Sequence, residues 1–145
     1  MGCPIPAGDA TLPSQSLWKI AAGARSDRTV LSEYHAAGSI TGSFMIRHGR
    51  WKYIHHVGFR PELFDLEADH GETQDLAERP DMAPVLAECE ARLRRICDPD
   101  AVNAEAFADQ RRLIAKHGGA EAILKRGDYS YTPAPGEKPV LVVAK

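Results

Sequence analysis

The stretch from 47 to 58, RHGRWKYIHHVG, gathers two arginines, a lysine and three of the chain's six histidines beside Trp51 and Tyr53. Imidazoles at that density can bind a divalent metal or move protons, so a metal centre or an acid–base site is the first chemistry to weigh. The flanking pattern decides against both. WKYIHH reads as a strand, and side chains alternate across a strand. Trp51, Tyr53, His55 and Val57 therefore share one face, while Lys52, Ile54 and His56 share the other. His55 and His56 cannot both ligate one ion from a regular strand. His48 falls in the turn before it. The stretch is expected to be architecture, with its aromatic face on a helix layer and a mixed face outside.

Other reactive residues are sparse. Glu33 and His35 stand two apart at the end of a strand and so share a face, a spacing that suits acid–base work or the lining of a polar pocket. They are the candidate site residues. Asp69-His70-Gly71 offers too few ligands for a metal. Glu72 to Asp75 reads as turn and capping chemistry. Cys3 sits in a Pro-rich terminus without a paired His, and Arg92, Arg94, Arg95, Lys116 and Arg126 read as solvated helix faces. A hydrolase needs a nucleophile with its base, or three convergent ligands. Neither is present, so no catalytic residue and no metal ligand is assigned to this chain.

The elements that position these residues follow from texture. Residues 1 to 28 are rich in Pro, Gly, Ala and Ser, with one short apolar patch, LWKIAAG, and read as a connector with a single helical turn. TVLSEY (29–34), SFMIR (43–47), WKYIHH (51–56) and ELFDL (62–66) are four strand candidates with short connections, the middle two joined by a hairpin at Gly49. That order predicts an antiparallel sheet. Apolar residues at helical spacing predict a helix over 80–97, a second over 103–117 after CDPDAV breaks the chain, and a short third over 120–125 behind Gly118 and Gly119. One face of the first helix can bury against the sheet. The tail ends in VLVV, an added strand or a docking segment.

The totals set bounds. A chain of 145 residues holds one domain with a real core. Net charge of −2 gives no basic footprint for nucleic acid. Cys3, Cys89 and Cys97 form no CxxC pair, so neither a zinc site nor a disulfide framework is indicated. No run reaches the roughly 18 apolar residues of a membrane span, and the N-terminus lacks the pattern of a secretory signal. A cytoplasmic setting is expected. Pro6 stands where N-myristoylation wants Ser or Thr.

The run SFMIRHGRWKYIHHVGFRPELFDLEADHGETQDLA, residues 43–77, resembles the C-terminal signature of the sulfatase family within the alkaline phosphatase superfamily. LPSQSLWKIAAG resembles that family's linker between its large and small domains, and RTVLSEYHAAGS the first strand of the small domain. The resemblance covers roughly residues 11–136 and is nearest to bacterial choline-sulfatase-like enzymes and phosphonate monoester hydrolases. It implies an α+β fold, a small four-stranded antiparallel sheet packed with C-terminal helices. It divides the chain into a linker (1–28), the subdomain (29–126) and a Pro-rich tail (127–145). It implies too a catalytic domain outside this chain, carrying a formylglycine nucleophile and a divalent cation (Ca, Mg or Mn). Cys3-Pro4-Ile5-Pro6-Ala7 departs from the family's nucleophile motif at Ile5 and Ala7, and Asp69-His70-Gly71 lies in the small-domain signature rather than a metal loop. The implied role is part of a sulfuric ester hydrolase that walls the substrate pocket and is inert alone, with Glu33 and His35 as its pocket contacts. Glu33 would face a cationic head group. The implied partner is that catalytic domain or a second copy of the chain. A stand-alone interaction module derived from the same domain is the competing reading. It predicts polar residues where the large domain would sit, near LWKIAAG and TVLSEYH.

Overall fold

The computed structural model describes residues 8, 16–23, 27–35, 39–126, 128–129 and 141–142. The first helix, α1, is a single turn, Leu17–Ala21. Four strands follow, β1 (Val30–Tyr34), β2 (Ser43–His48), β3 (Trp51–His56) and β4 (Glu62–Asp65), forming an antiparallel meander in the order β1-β2-β3-β4. Beyond a 3-10 turn at Pro80–Met82 lie α2 (Ala83–Ile96), α3 (Pro99–Lys116) and α4 (Ala120–Arg126). Near the C-terminus β5 (Asp128–Tyr129) pairs antiparallel with β6 (Leu141–Val142), so part of the VLVV run is the expected added strand. Cys3 and most of the tail fall outside the described residues.

The expected α+β architecture of four antiparallel strands with helices holds. Its registers decide which residues meet. Ile46 lies opposite Leu31 and Tyr53, and Tyr53 opposite Leu63, so Leu31, Phe44, Ile46, Tyr53 and Leu63 form one face. Cys89 and Leu93 of α2 complete this core, with Val85, Leu86 and Val102 packed at its margin. Phe44, Ile46, Leu63 and Leu93 are wholly buried. Each such burial contributes at most about 1.5–3 kcal/mol. The opposite face is mixed: Phe64 sits across from Lys52, whose ammonium lies 6.0 Å from the ring centre.

Two local features differ from expectation. His48 is the last residue of β2, paired with Trp51, and the turn is Gly49-Arg50 alone. Gly49 takes φ +55° while Arg50 does not enter positive φ, the pattern of a type II′ hairpin, whose first central position favours glycine. Secondly, α3 begins at Pro99 rather than at Asn103. CDPDAV is a helix start, not a break. The Asp98 carboxylate accepts from the backbone N–H groups of Asp100 (3.0 Å) and Ala101 (3.3 Å). Pro99 at the first helical position has no N–H to leave unpaired.

The signature residues have structural work in this fold. Arg50 in the hairpin turn donates through Nε to Asp65 (2.7 Å) at the end of β4, and its Nη2 donates to the other carboxylate oxygen. That pairing holds Asp65 below the usual carboxylate range. Asp69 accepts from the N–H groups of Thr73 (2.7 Å) and Gln74 (2.8 Å), closing the loop in which Glu72 takes φ +53°. Asp75 accepts from the N–H groups of Leu63 and Ala77, both at 3.0 Å, and from Arg60 at 2.7 Å. As expected, 72–75 is turn and capping chemistry.

Candidate functional site

The three clustered histidines have three separate sets of partners. His48 lies beside Asp27 (3.5 Å) and Thr29 (3.4 Å). His55 Nδ1 is 3.3 Å from Glu90 on α2, on the core side, whereas His56 on the outer side meets Ser43 Oγ at 2.8 Å. Strand alternation therefore separates them as expected. No group of three or more His, Cys, Asp or Glu converges among the described residues. Glu90 also accepts from the Tyr53 hydroxyl and from Arg94 Nε (2.5 Å). Burial, then Glu90's acceptance of its proton, pushes the Tyr53 phenol well above its ordinary value. This cluster ties α2 to β3, and within it His55 Nε2 is buried without a hydrogen-bond partner among the described residues.

A different place has room for a ligand. The strand face that carries Leu31 and Glu33 continues to His35, which lies just past β1 and meets Phe44 edge-on at 5.3 Å between ring centres. From the other side comes α3. Seated by its Asp98 cap and by buried Pro99, this helix sends Asn103, Ala106, Phe107 and Gln110 along one stripe, the i, i+3, i+4, i+7 spacing of a helix face. Between them opens a cavity of about 290 Å³, closed at its edge by Ser39, Thr41 and Gly42.

The cavity wall is pinned tightly. Gly42 N–H donates to Asn103 Oδ1 (2.8 Å), and its carbonyl accepts from Val57 N–H (3.1 Å). Thr41 Oγ1 donates to the Val57 carbonyl (2.9 Å), and Ser39 Oγ donates to the Thr41 carbonyl. A Cβ at position 42 would stand 2.7 Å from His35 Cε1 and 2.9 Å from Asn103 Oδ1, so only glycine permits this approach. His35 Nε2 is buried without a hydrogen-bond partner among the described residues.

Of the two expected site residues, His35 lines the cavity, and Glu33 is exposed and not in its lining. Glu33 instead lies close enough to Cys97 for its charge to help raise that thiol, after the larger effect of burial. The residues that sequence reasoning missed are Gly42, Asn103 and Gln110. Asn103 and Gln110 stand seven apart on the stripe that carries Phe107, and that was the available signal. A larger cavity, about 430 Å³, lies beside Trp51, Asp65 and Asp69, but both carboxylates there are committed to Arg50 or to backbone N–H groups.

Apolar side chains stand open at the connector and on β1, the places where the resemblance puts a missing domain. Trp18 is 86% exposed and Leu17 75%, with Val30 and Tyr34 also open. No helix among the described residues is long and apolar enough to cross a membrane.

Comparison with known proteins bears out the resemblance to sulfatases. The chain is 42% identical over 65 residues to a choline-sulfatase of Rhizobium meliloti, a match that covers 45% of this chain and 13% of that protein. It is 39% identical over 67 residues to a Δ4,5-hexuronate-2-O-sulfatase of Bacteroides thetaiotaomicron (44% and 14%) and 37% identical over 51 residues to mouse arylsulfatase K (33% and 9%). A solved structure from Bacteroides thetaiotaomicron, assigned as a sulfatase, superposes with a TM-score of 0.50 at 30% identity, covering 75% of this chain and 23% of that one. No family model matches the chain. The matched region thus spans about a seventh or less of these curated relatives.

Proposed function

We propose that this chain is the C-terminal part of a metal-dependent sulfuric ester hydrolase, in which it walls the substrate pocket and does no chemistry alone. The observation that carries the reading is the pairing of a sulfatase match confined to a small share of each relative with the sulfatase-like superposition of the sheet and helices. Exposed Leu17, Trp18, Val30 and Tyr34 fit the same reading, since an apolar face is expected where another domain packs. It also favours a domain part over a free-standing module.

The donor set here does not suit the divalent cation the family implies. Asp65, Asp69 and Asp75 are engaged by guanidinium or backbone N–H groups, and no three ligand-type side chains converge among the described residues. The cation and the formylglycine nucleophile are therefore assigned to a catalytic portion outside these residues, and no step is derived through them. What this chain contributes is a rigid wall. Glu33 and His35 lie on the helix-facing side of β1 and at its end, where the sheet would meet that portion.

The test is to translate the DNA upstream of Met1 in frame and, where it encodes the family's nucleophile motif with an Asp-Asp pair, to express the whole. Sulfate release from choline sulfate or an aryl sulfate by the whole, and none by the 145-residue chain, is the expected result. Hydrolysis of phosphonate monoesters instead would move the reading to that neighbouring class. A stop codon and promoter upstream would overturn it in favour of an interaction module. In the active whole, Glu33→Gln should raise KM for a cationic sulfate ester. An unchanged KM would remove Glu33 from the pocket.

A further inference from the structure

The two edges of the sheet differ in kind. Just beyond the ends of β2 and β3, the Gly42 carbonyl accepts from Val57 N–H (3.1 Å). In an antiparallel ladder both backbone groups of a residue point to the same neighbour, and the direction alternates along the strand. Phe44, Ile46 and His48 therefore address β3, while Ser43, Met45 and Arg47 address Tyr34, Ser32 and Val30 of β1. That leaves the N–H and C=O of Leu31 and Glu33 aimed away from the sheet, and among the described residues nothing pairs with them. The same alternation turns Leu63 outward on β4, but there the edge is closed. Leu63 N–H donates to Asp75 Oδ1 (3.0 Å), and its carbonyl accepts from Leu76 N–H (2.8 Å). β1 carries none of the devices that blunt an edge: its register is unbroken from Val30 to Tyr34, with no proline and no lysine.

We propose that β1 pairs antiparallel with β1 of a second copy of this chain, joining the two sheets across a two-fold axis at Ser32. The edge is self-complementary in that register. Leu31 faces Glu33 of the second copy, so every outward N–H meets an outward C=O. On the surface away from the core, Val30 faces Tyr34 of the second copy, and the two side chains are 40% and 52% exposed in the single chain. A β-branched residue against an aromatic ring is a favourable cross-strand pair. Ser32, exposed and small, meets itself. The neighbouring registers are poorer: centring on Glu33 opposes two carboxylates, and centring on Leu31 sets Val30 against Ser32. An unrelated extended strand would satisfy the same backbone groups; the Val30–Tyr34 match and the uncharged centre are what favour a second copy. The pairing involves no residue of α1 and does not rest on the proposed function.

The whole 145-residue chain is followed by sedimentation velocity from about 10 µM to about 1 mM, because one strand pair is a small interface that dissociates at high micromolar concentration. A reversible monomer–dimer equilibrium is expected. Ser32→Lys sets two ammonium groups opposite each other at an exposed position, and Glu33→Pro removes an outward N–H that the pairing with β2 does not use. Each should raise the dissociation constant about tenfold or more, with the far-ultraviolet circular dichroism unchanged. A cross-link reads the register. A Cys3→Ser, Cys97→Ser background leaves buried Cys89 as the native thiol. There Ser32→Cys puts two thiols on a directly opposed, non-hydrogen-bonded pair with Cα atoms about 4.5 Å apart, within the reach of a disulfide. Mild oxidation should give a covalent dimer, whereas Val30→Cys, which faces Tyr34 instead, should give little. Three results overturn the proposal: a monomer at every concentration, a dimer that survives both Ser32→Lys and Glu33→Pro, or cross-linking through Val30→Cys as ready as through Ser32→Cys.

Discussion

Replacing Gly42 with alanine sets two opposed effects against each other. The backbone at position 42 is not in the positive-φ region, so alanine fits it and, by narrowing the unfolded ensemble, would stabilise by about 0.4–1 kcal/mol. Against this, the new methyl would meet His35 Cε1 at 2.7 Å, His35 Nδ1 at 2.9 Å and Asn103 Oδ1 at 2.9 Å. The imidazole cannot swing aside freely, because it packs edge-on against buried Phe44. The amide oxygen cannot retreat without loosening its bond to Gly42 N–H. Overpacking of this kind costs about 1–3 kcal/mol, so the net expectation is destabilisation of roughly 1–2 kcal/mol. Urea unfolding should show a lower midpoint with an unchanged slope. The second arm removes the imidazole's share of the clash. In a His35→Ala background only the Asn103 contact remains, so the cost of Gly42→Ala should fall by about 1 kcal/mol or more, read as the coupling between the two positions. If Gly42→Ala costs as much without the imidazole as with it, the close packing of His35 on Gly42 is not what demands glycine here.

Further expectations rest on single groups. Tyr53→Phe removes the hydroxyl donated to Glu90 and should destabilise by about 1.5 kcal/mol, the low end for bonds to charged groups, since Glu90 keeps Arg94. Because burial and Glu90 raise the Tyr53 phenol, stability is full below the ordinary tyrosine range near 10 and falls as pH rises through it. Ultraviolet titration should show this ionisation appearing only with unfolding. Asp75 is held below its ordinary range: burial opposes ionisation, but the N–H groups of Ala77 and Leu63 and the Arg60 guanidinium outweigh it. Its contribution is present above the usual carboxylate range, about 4, and is lost as pH falls through the folded value. Asp75→Asn should flatten the loss of urea midpoint between pH 6 and the acid limb, and an unchanged acid limb would refute its part. Burial, with Glu88 adding to it, pushes the Cys89 thiol up to about 11, so Ellman's reagent at pH 8 should find it unreactive until urea unfolds the chain.

The sheet was readable because its signals are short-ranged. Alternation over Trp51–His56 placed His55 and His56 on opposite faces, and they do find different partners, Glu90 on α2 and Ser43 on β2. The start of α3 has an equally local cause: Pro99 by itself suggests a break, but an aspartate followed by proline is a helix start when the Asp98 carboxylate caps it. The cavity was not readable in the same way. It requires Gly42 to meet Asn103, 61 residues further along, and that meeting depends on how α3 is seated rather than on any spacing in the chain. Glu33 and His35 share a face as strand logic demands, yet only His35 lines the cavity.

That division bears on what the recognisable signature means. Its most distinctive residues, Arg50, Asp65, Asp69 and Asp75, are spent on holding the hairpin, the end of β4 and the following loop to one another. Each is a charged group whose interactions with backbone or partner are satisfied inside this subdomain, so each fixes shape and leaves little for a ligand. Polar groups with hydrogen-bonding capacity left over include His55 Nε2 on β3 and, outside the signature, His35 and the Asn103 and Gln110 amides beside the α3 cavity. A resemblance that rests on residues 43–77 therefore reports the scaffold. Asn103, Phe107 and Gln110, on the wall of the α3 cavity, take no part in the Arg50–Asp65 and Asp75 contacts that hold the signature together.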